Sequence, residues 1–98
     1  MALIRSQVVI NNETAGVIKF VKHHDYGGNL PNTPYPEEIQ PAEWAEFLHH
    51  GSVGNPSQSI GAVVYRCTNG AGQEWDWMMS WSNIYGITHN AGFILRSW

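Results

Sequence analysis

The clearest pattern in the chain is the alternation of large apolar and polar residues in EWDWMMSWS, from Glu74 to Ser82. Alternate side chains of a β-strand face opposite sides of its sheet, so this pattern predicts a strand with one aromatic face. The residues on that face are Trp75, Trp77, Met79 and Trp81. The simplest interpretation makes this face the core side of the sheet. Because a buried indole N–H needs a partner, we expect at least one ring, that of Trp81, to lie at the rim.

A second strand is predicted directly before this one. Residues 60–67, IGAVVYRC, are rich in β-branched residues, and Gly61 marks a bulge or a point of close approach. The dipeptide Asn69-Gly70 fits a tight hairpin turn, which would connect residues 60–67 to a partner strand at 73–82.

Shorter runs predict further strands. SQVVI at 6–10 and VIKFV at 17–21 flank the turn-forming segment NNETAG, so they predict a hairpin. Residues 93–98 predict a final strand. The segment AEWAEFLHH at 42–50 is compatible with a helix, because its apolar residues have helical spacing, and equally with a strand.

Residues 23–41 contain two adjacent glycines and four prolines, so they predict a long loop. A loop of this length in a small domain is often functional. Five or six strands with short turns and one long loop predict an all-β fold. We expect a small antiparallel β-sandwich or barrel with one long Pro/Gly-rich loop.

The composition is that of one globular domain spanning residues 1–98. Charged residues make up 13% of the chain and aromatic residues 12%, which is not a disordered composition. The net charge of −3 and only five scattered Lys and Arg residues argue against a nucleic-acid partner. A small chain with exposed strand ends gains stability by mutual burial, so we expect a homodimer.

Cys67 is the only cysteine, which fits a reducing compartment. The start of the sequence lacks a basic end followed by a long apolar run, so we expect no secretory signal. No apolar run approaches the length of a membrane span, and we expect no transmembrane insertion. These observations predict a cytoplasmic, or nuclear and cytoplasmic, location.

Groups that could support catalysis or metal binding have simpler interpretations. The histidine pairs His23-His24 and His49-His50 place one side chain on each side of a strand, so each pair offers at most one ligand per side. No orienting group is suggested for a Cys67 nucleophile, and the acids near Pro41 fit solvated loop charges. We therefore expect no cofactor, no metal site and no enzyme activity.

The segment GAVVYRCTNGAGQEWDWMMSWSNIYG, from Gly61 to Gly86, resembles a signature of the plant jasmonate-induced proteins. Upstream, the pieces HHDYGG, PYP and AEWAEFLHH are also similar to that family, so the resemblance spans nearly the whole chain. It implies an abundant stress or defence protein.

A more distant resemblance is to the actinoporin-like β-sandwich, including fungal sphingolipid-binding relatives. It rests on NNETAG, on GAV at 61–63 and on WSNIY at 81–85. That resemblance implies a phosphocholine site at Ser82 and Tyr85. Ile84 stands where those relatives carry proline, and the chain has no long amphipathic N-terminal helix, so pore formation is not expected.

The favoured hypothesis is a non-enzymatic binding protein that recognises a glycan or a membrane lipid head group through an aromatic surface. Sugar rings stack on aromatic side chains while acids hold their hydroxyls. The candidate ligand-binding residues are Trp81, Ser82, Tyr85, Tyr26, Asp25 and Tyr35. One alternative is a protein–protein interaction or inhibitor domain. Another is a small-metabolite enzyme that uses His24 and Asp25.

Overall fold

The computed structural model describes residues 4–30, 34–54 and 56–86, and the backbone of residues 91–95. In this part of the chain every regular element is a β-strand, so the predicted all-β class is confirmed. The strands are β1 (Arg5–Asn11), β2 (Ile18–Gly27), β3 (Glu38–Ile39), β4 (Trp44–His50), β5 (Gln58–Thr68), β6 (Glu74–Ile84) and β7 (Ala91–Leu95).

The strands form two antiparallel sheets. One has two strands in the order β1-β4, and the other has five in the order β3-β2-β5-β6-β7. Their inner faces contribute to one hydrophobic cluster, in which Phe47 of β4 packs 5.5 Å from Trp81 of β6. The segment at 42–50, which the sequence left open between helix and strand, therefore supplies β4.

The predicted hairpin of residues 6–10 and 17–21 is wrong, because β1 pairs with β4 and β2 pairs with β5 and β3. The intervening segment carries the chain from one sheet to the other. Asn12 is fully buried at this crossing, where its amide nitrogen donates to the carbonyls of Gly16 and Ile39, each at 2.8 Å. Turn-forming residues indicate a change of direction, but they do not specify which strand comes next to which.

The predicted loop at 23–41 is wrong in its first part, because β2 continues to Gly27, and again at Glu38–Ile39, which form β3. The segment from Gly28 to Glu37 between these strands is irregular in its described parts, 28–30 and 34–37. Gly28 adopts a positive φ of 87°, and a side chain there would meet the carbonyl oxygen of His50. Glycine is therefore required at the point where the chain leaves β2.

The predicted hairpin of β5 and β6 is confirmed. Its turn spans residues 69–73, with a positive φ at Gly72, so it is longer than the tight turn that Asn69-Gly70 predicted. The register pairs Trp77 with Tyr65 and Met79 with Val63 on the inner face. Trp75, Trp77 and Met79 are half-buried and pack against the hydrophobic cluster, as expected for the core side. The predicted final strand is partly confirmed by β7, and residues 96–98 lie outside the described residues.

Trp81 corrects the expectation that its ring would lie at the rim, since it is only 6% exposed. The reason is Gly61, its partner in the register: a Cβ there would lie 2.6 Å from Cζ2 of the indole. The predicted close approach at Gly61 is thus confirmed. The Trp81 Nε1–H group finds no hydrogen-bond partner among the described residues. The free energy gained by packing the ring therefore outweighs the cost of burying its unpaired N–H.

Candidate functional site

The site begins with two irregularities in β2. Phe20 pairs with Tyr65 and Lys22 with Val64, which leaves Val21 as an extra residue opposite the β5 ladder. Such a β-bulge reverses the alternation of the residues that follow it. His23 and Asp25 pair with Val63 and Gly61, so they lie on the same inner face as Phe20. A second extra residue, Tyr26, lies between Asp25 and Gly27.

Asp25 is the centre of a hydrogen-bonded group on this face. Its Oδ1 accepts a bond from the Tyr35 hydroxyl at 2.9 Å and contacts His49 Nε2 at 3.0 Å. Its Oδ2 lies 3.3 Å from His23 Nδ1. The Asp25 side chain is 21% exposed, so the carboxylate closes the inner end of a cleft that solvent reaches.

His49 connects Asp25 to a buried pair of serines. Its Nδ1 lies 2.7 Å from the Ser59 hydroxyl, and the Ser6 hydroxyl donates to Ser59 at 2.8 Å. Burial lowers the pKa of His49 below its usual value, and the hydrogen bond to Asp25 opposes that shift only in part. His49 is therefore neutral near pH 7, donating from Nε2 to Asp25 and accepting at Nδ1 from Ser59.

The order Asp25–His49–Ser59 has the same residue types as a hydrolase triad. His49 and Ser59 are both fully buried, and the Ser59 hydroxyl also lies 3.3 Å from the His49 carbonyl oxygen. A nucleophilic serine must meet its substrate, and this one is enclosed by the fold. The arrangement accordingly positions Asp25 and satisfies buried polar atoms between the two sheets.

Tyr35 packs against several side chains and forms part of the cleft wall. Its ring stacks on Phe20, with centroids 5.7 Å apart and planes at 9°, and meets Phe47 edge-on at 4.8 Å. Burial raises the pKa of Tyr35, so the hydroxyl stays protonated as a donor to Asp25. The segment around it is fixed by the Phe20 N–H, which donates to Glu37 O at 2.8 Å.

Together these residues form a cleft of about 240 Å³, which we call the Asp25 cleft. It is lined by Phe20, His23, Asp25, Asn29, Leu30, Pro34, Tyr35 and Glu37. Two carboxylates and three rings face this space, and the described residues of its lining include neither Lys nor Arg. The cleft therefore suits a ligand that offers hydrogen-bond donors and an apolar face.

The structure brings together only two of the six predicted ligand-binding residues, Asp25 and Tyr35. Trp81 lies behind the cleft, with its ring 5.0 Å from that of His49. Ser82 pairs with Ile60 on the outer face of the sheet. Tyr85, 59% exposed, lies just beyond β6.

The sixth residue, Tyr26, is 69% exposed and packs 4.3 Å from the ring of His24, away from the cleft. The residues that sequence reasoning missed are Phe20, His49, Ser59 and Glu37. One signal was available for His49: in a strand at 44–50 it lies two residues from Phe47 and shares its inner face.

The described residues contain no group of three His, Cys, Asp or Glu side chains arranged to hold a metal ion. They also include no helix long and apolar enough to cross a membrane. The expected homodimer and cytoplasmic location stay predictions.

The fold and the cleft can now be compared with known proteins. The chain belongs to the Nakanori-like protein family, whose sequence profile matches residues 3–94. It is 36% identical over 83 residues to a 23 kDa jasmonate-induced protein of Hordeum vulgare, covering 84% of this chain and 40% of that protein. The resemblance to the jasmonate-induced proteins is confirmed.

A second relative is a jasmonate-induced protein homolog of Atriplex canescens. It is 33% identical over 77 residues, covering 79% of this chain and 40% of the relative. The chain therefore spans about two fifths of the length of these curated relatives. Their names are not those of enzymes. No solved structure matches the chain, and the likeness to actinoporins stays a prediction.

Proposed function

We propose that this protein is a non-enzymatic binding protein of a stress or defence response and that its Asp25 cleft recognises a glycan. The observation that carries the proposal is the arrangement of Asp25, Tyr35 and Phe20, in which a partly exposed carboxylate lies beside stacked aromatic rings. The stress setting is supported by the jasmonate-induced relatives.

The chemistry of the cleft matches that of a sugar. A carboxylate accepts about four hydrogen bonds. Asp25 already takes those of Tyr35 and His49 at Oδ1, and His23 lies 3.3 Å from Oδ2, which leaves acceptor capacity for a sugar hydroxyl. Glu37 supplies a second, exposed carboxylate. The ring of Phe20, half-buried at the wall, offers an apolar surface for the C–H face of a sugar.

The same charges separate a glycan from a lipid head group that carries phosphate. Asp25 and Glu37 would repel a phosphate, and among the described lining residues only His23, which already contacts Asp25, could compensate. The glycan is therefore the favoured ligand, and the lipid head group enters the test as its competitor. Non-enzymatic action is supported by the burial of His49 and Ser59.

The proposal is tested by applying the folded protein to a glycan array and, separately, to liposomes with phosphocholine head groups. We expect glycan binding that Asp25→Asn weakens about tenfold or more, since it removes a charged hydrogen-bond acceptor at the base of the cleft. Glu37→Gln, an exposed change that leaves the fold intact, weakens binding several-fold.

The matched control is Asp76→Asn, which neutralises a carboxylate that pairs with Arg66 at 2.8 Å, outside the cleft. It should leave glycan binding unchanged. Binding to no glycan by protein with an intact circular dichroism spectrum would refute the proposal. Binding to the liposomes alone would replace it with the lipid hypothesis.

A further inference from the structure

A second cavity lies between the same two sheets, outside the Asp25 cleft. Its volume is about 490 Å³, within the range of about 300–1,000 Å³ that is usual for small-molecule sites. We call it the apolar cavity, and its lining includes Ile18, Trp44, Tyr65, Cys67, Trp77 and Met79.

The cavity exists because the inner face of the large sheet extends past the small one. Ile18, Tyr65 and Cys67 form a buried floor from β2 and β5. Trp77 and Met79 of β6 face the same space but remain half-buried, since no strand of the two-stranded sheet covers them fully. A concave apolar surface is thus left next to the hydrophobic core.

The walls favour a small molecule over a protein surface. The lining is supplied by β1 and β4 of the two-stranded sheet and by β2, β5 and β6 of the five-stranded sheet. A partner protein could reach the buried floor only with a protruding side chain. A flat ring can instead enter the cavity and pack against Trp44 and Trp77, which both line it.

Polar groups of the lining come from one short segment. Glu13 has an exposed carboxylate that accepts a bond from the Asn11 amide at 3.0 Å, and Thr14 lies beside it. The described residues of the lining include no Lys or Arg. A carboxylate here disfavours an anion and accepts a hydrogen bond from a hydroxyl.

We propose that the apolar cavity binds a small uncharged aromatic alcohol, with the ring packed against Trp44 and Trp77 and the hydroxyl directed to Glu13. This site is separate from the Asp25 cleft and does not depend on glycan recognition. The glycan-site variant Asp25→Asn should therefore leave it intact.

Three probes with the same ring test the chemistry by isothermal titration calorimetry on the whole protein: naphthol, its methyl ether and naphthoate. We expect naphthol to bind. The ether lacks the hydroxyl donor and should bind several-fold more weakly than naphthol. The affinity of the anionic naphthoate should be about tenfold or more lower than that of naphthol. No heat of binding with naphthol, or tighter binding of naphthoate, would overturn the proposal.

Two variants locate the binding. Trp44→Ala removes a side chain that is 66% exposed, so the fold survives, and it should weaken naphthol binding about tenfold. Its control, Tyr85→Ala, removes an aromatic ring that is 59% exposed and outside the cavity, and should have no effect. Equal binding by the Trp44→Ala variant would overturn the assignment.

Glu13→Gln keeps the size of the side chain and removes its charge. It should reduce the preference for naphthol over naphthoate, and an unchanged preference would contradict the role of Glu13. Light scattering on the same samples measures the oligomeric state and so tests whether a second copy of the chain occupies the cavity. A dimer that Trp44→Ala dissociates, in protein that binds no naphthol, would make the cavity a subunit interface and overturn the proposal.

Discussion

The space between the two sheets contains two regions of opposite character. Behind the Asp25 cleft lies a polar group in which His49 forms hydrogen bonds with both Asp25 and Ser59. The apolar cavity is walled by Ile10, Trp77 and other side chains that remain in part uncovered. Polar residues in the first region stabilise the fold and position one carboxylate. Apolar residues in the second leave surface that a ligand can bury.

The largest expected effect comes from breaking the polar group with His49→Ala. This change removes the bond between the ring and the Ser59 hydroxyl and one of the two bonds at Asp25 Oδ1, and it opens a gap in a buried region. We expect the free energy of unfolding to fall by about 3 kcal/mol, measured by urea denaturation.

The control for this variant is His50→Ala, the next residue on the same strand, whose side chain has the opposite orientation. It should change the free energy of unfolding by less than about 0.5 kcal/mol. Similar losses for both histidines would show that the polar group does not stabilise the fold.

The packing behind the cleft is tested by Gly61→Ala. The new Cβ would lie 2.6 Å from the Trp81 ring, which is buried against Phe47 and His49 and cannot move freely. Overpacking of this kind should cost about 1–3 kcal/mol. Thermal unfolding measures it, and Gly70→Ala, where a Cβ meets nothing within 4 Å, should show no loss.

The polar region should also make stability depend on pH. The pKa of His49 is lowered in the folded protein by burial, so the unfolded chain takes up its proton first, near a pH of about 6.5. This part of the stability is present above that pH and is lost as the pH falls below it. The slope for one proton is at most about 1.4 kcal/mol per pH unit.

The measurement is urea denaturation at a series of pH values between about 7.5 and 5, a window that avoids most carboxyl titration. His49→Gln should flatten the slope, although Asp25, His23 and His50 also act on this group. His24→Gln, at an exposed position, is the control. If the slope is unchanged in the His49→Gln variant, the pH dependence of stability comes from other groups.

The smallest effect on stability is expected in the apolar region. Because Trp44 is 66% exposed, Trp44→Ala should change the free energy of unfolding by less than about 0.5 kcal/mol, even though it weakens ligand binding. A loss as large as that of His49→Ala would mean that the apolar cavity is part of the structural core, and the contrast between the regions would disappear.

The hairpin of β5 and β6 shows what could be predicted. Its turn, at residues 69–73, is local, and the alternation from Glu74 to Ser82 determines which side chains share a face. Neighbouring residues therefore indicated the hairpin, although not the exact length of its turn. Asp25 and Tyr35 were named for their residue types, but no sequence pattern indicated that they form a hydrogen bond. For Trp81, residue type led to the wrong exposure, because its ring packs over a glycine twenty residues away.

The sequence by itself determined the all-β class, the aromatic face of β6 and the family, because these depend on residue type and on period-two alternation. Only the tertiary structure decided that β1 pairs with β4 and that the bulge at Val21 turns His23 and Asp25 inward. Strand pairing and bulge position depend on contacts between residues far apart in the chain. The convergence of Asp25, His49 and Ser59 follows from those long-range contacts, which local sequence patterns do not predict.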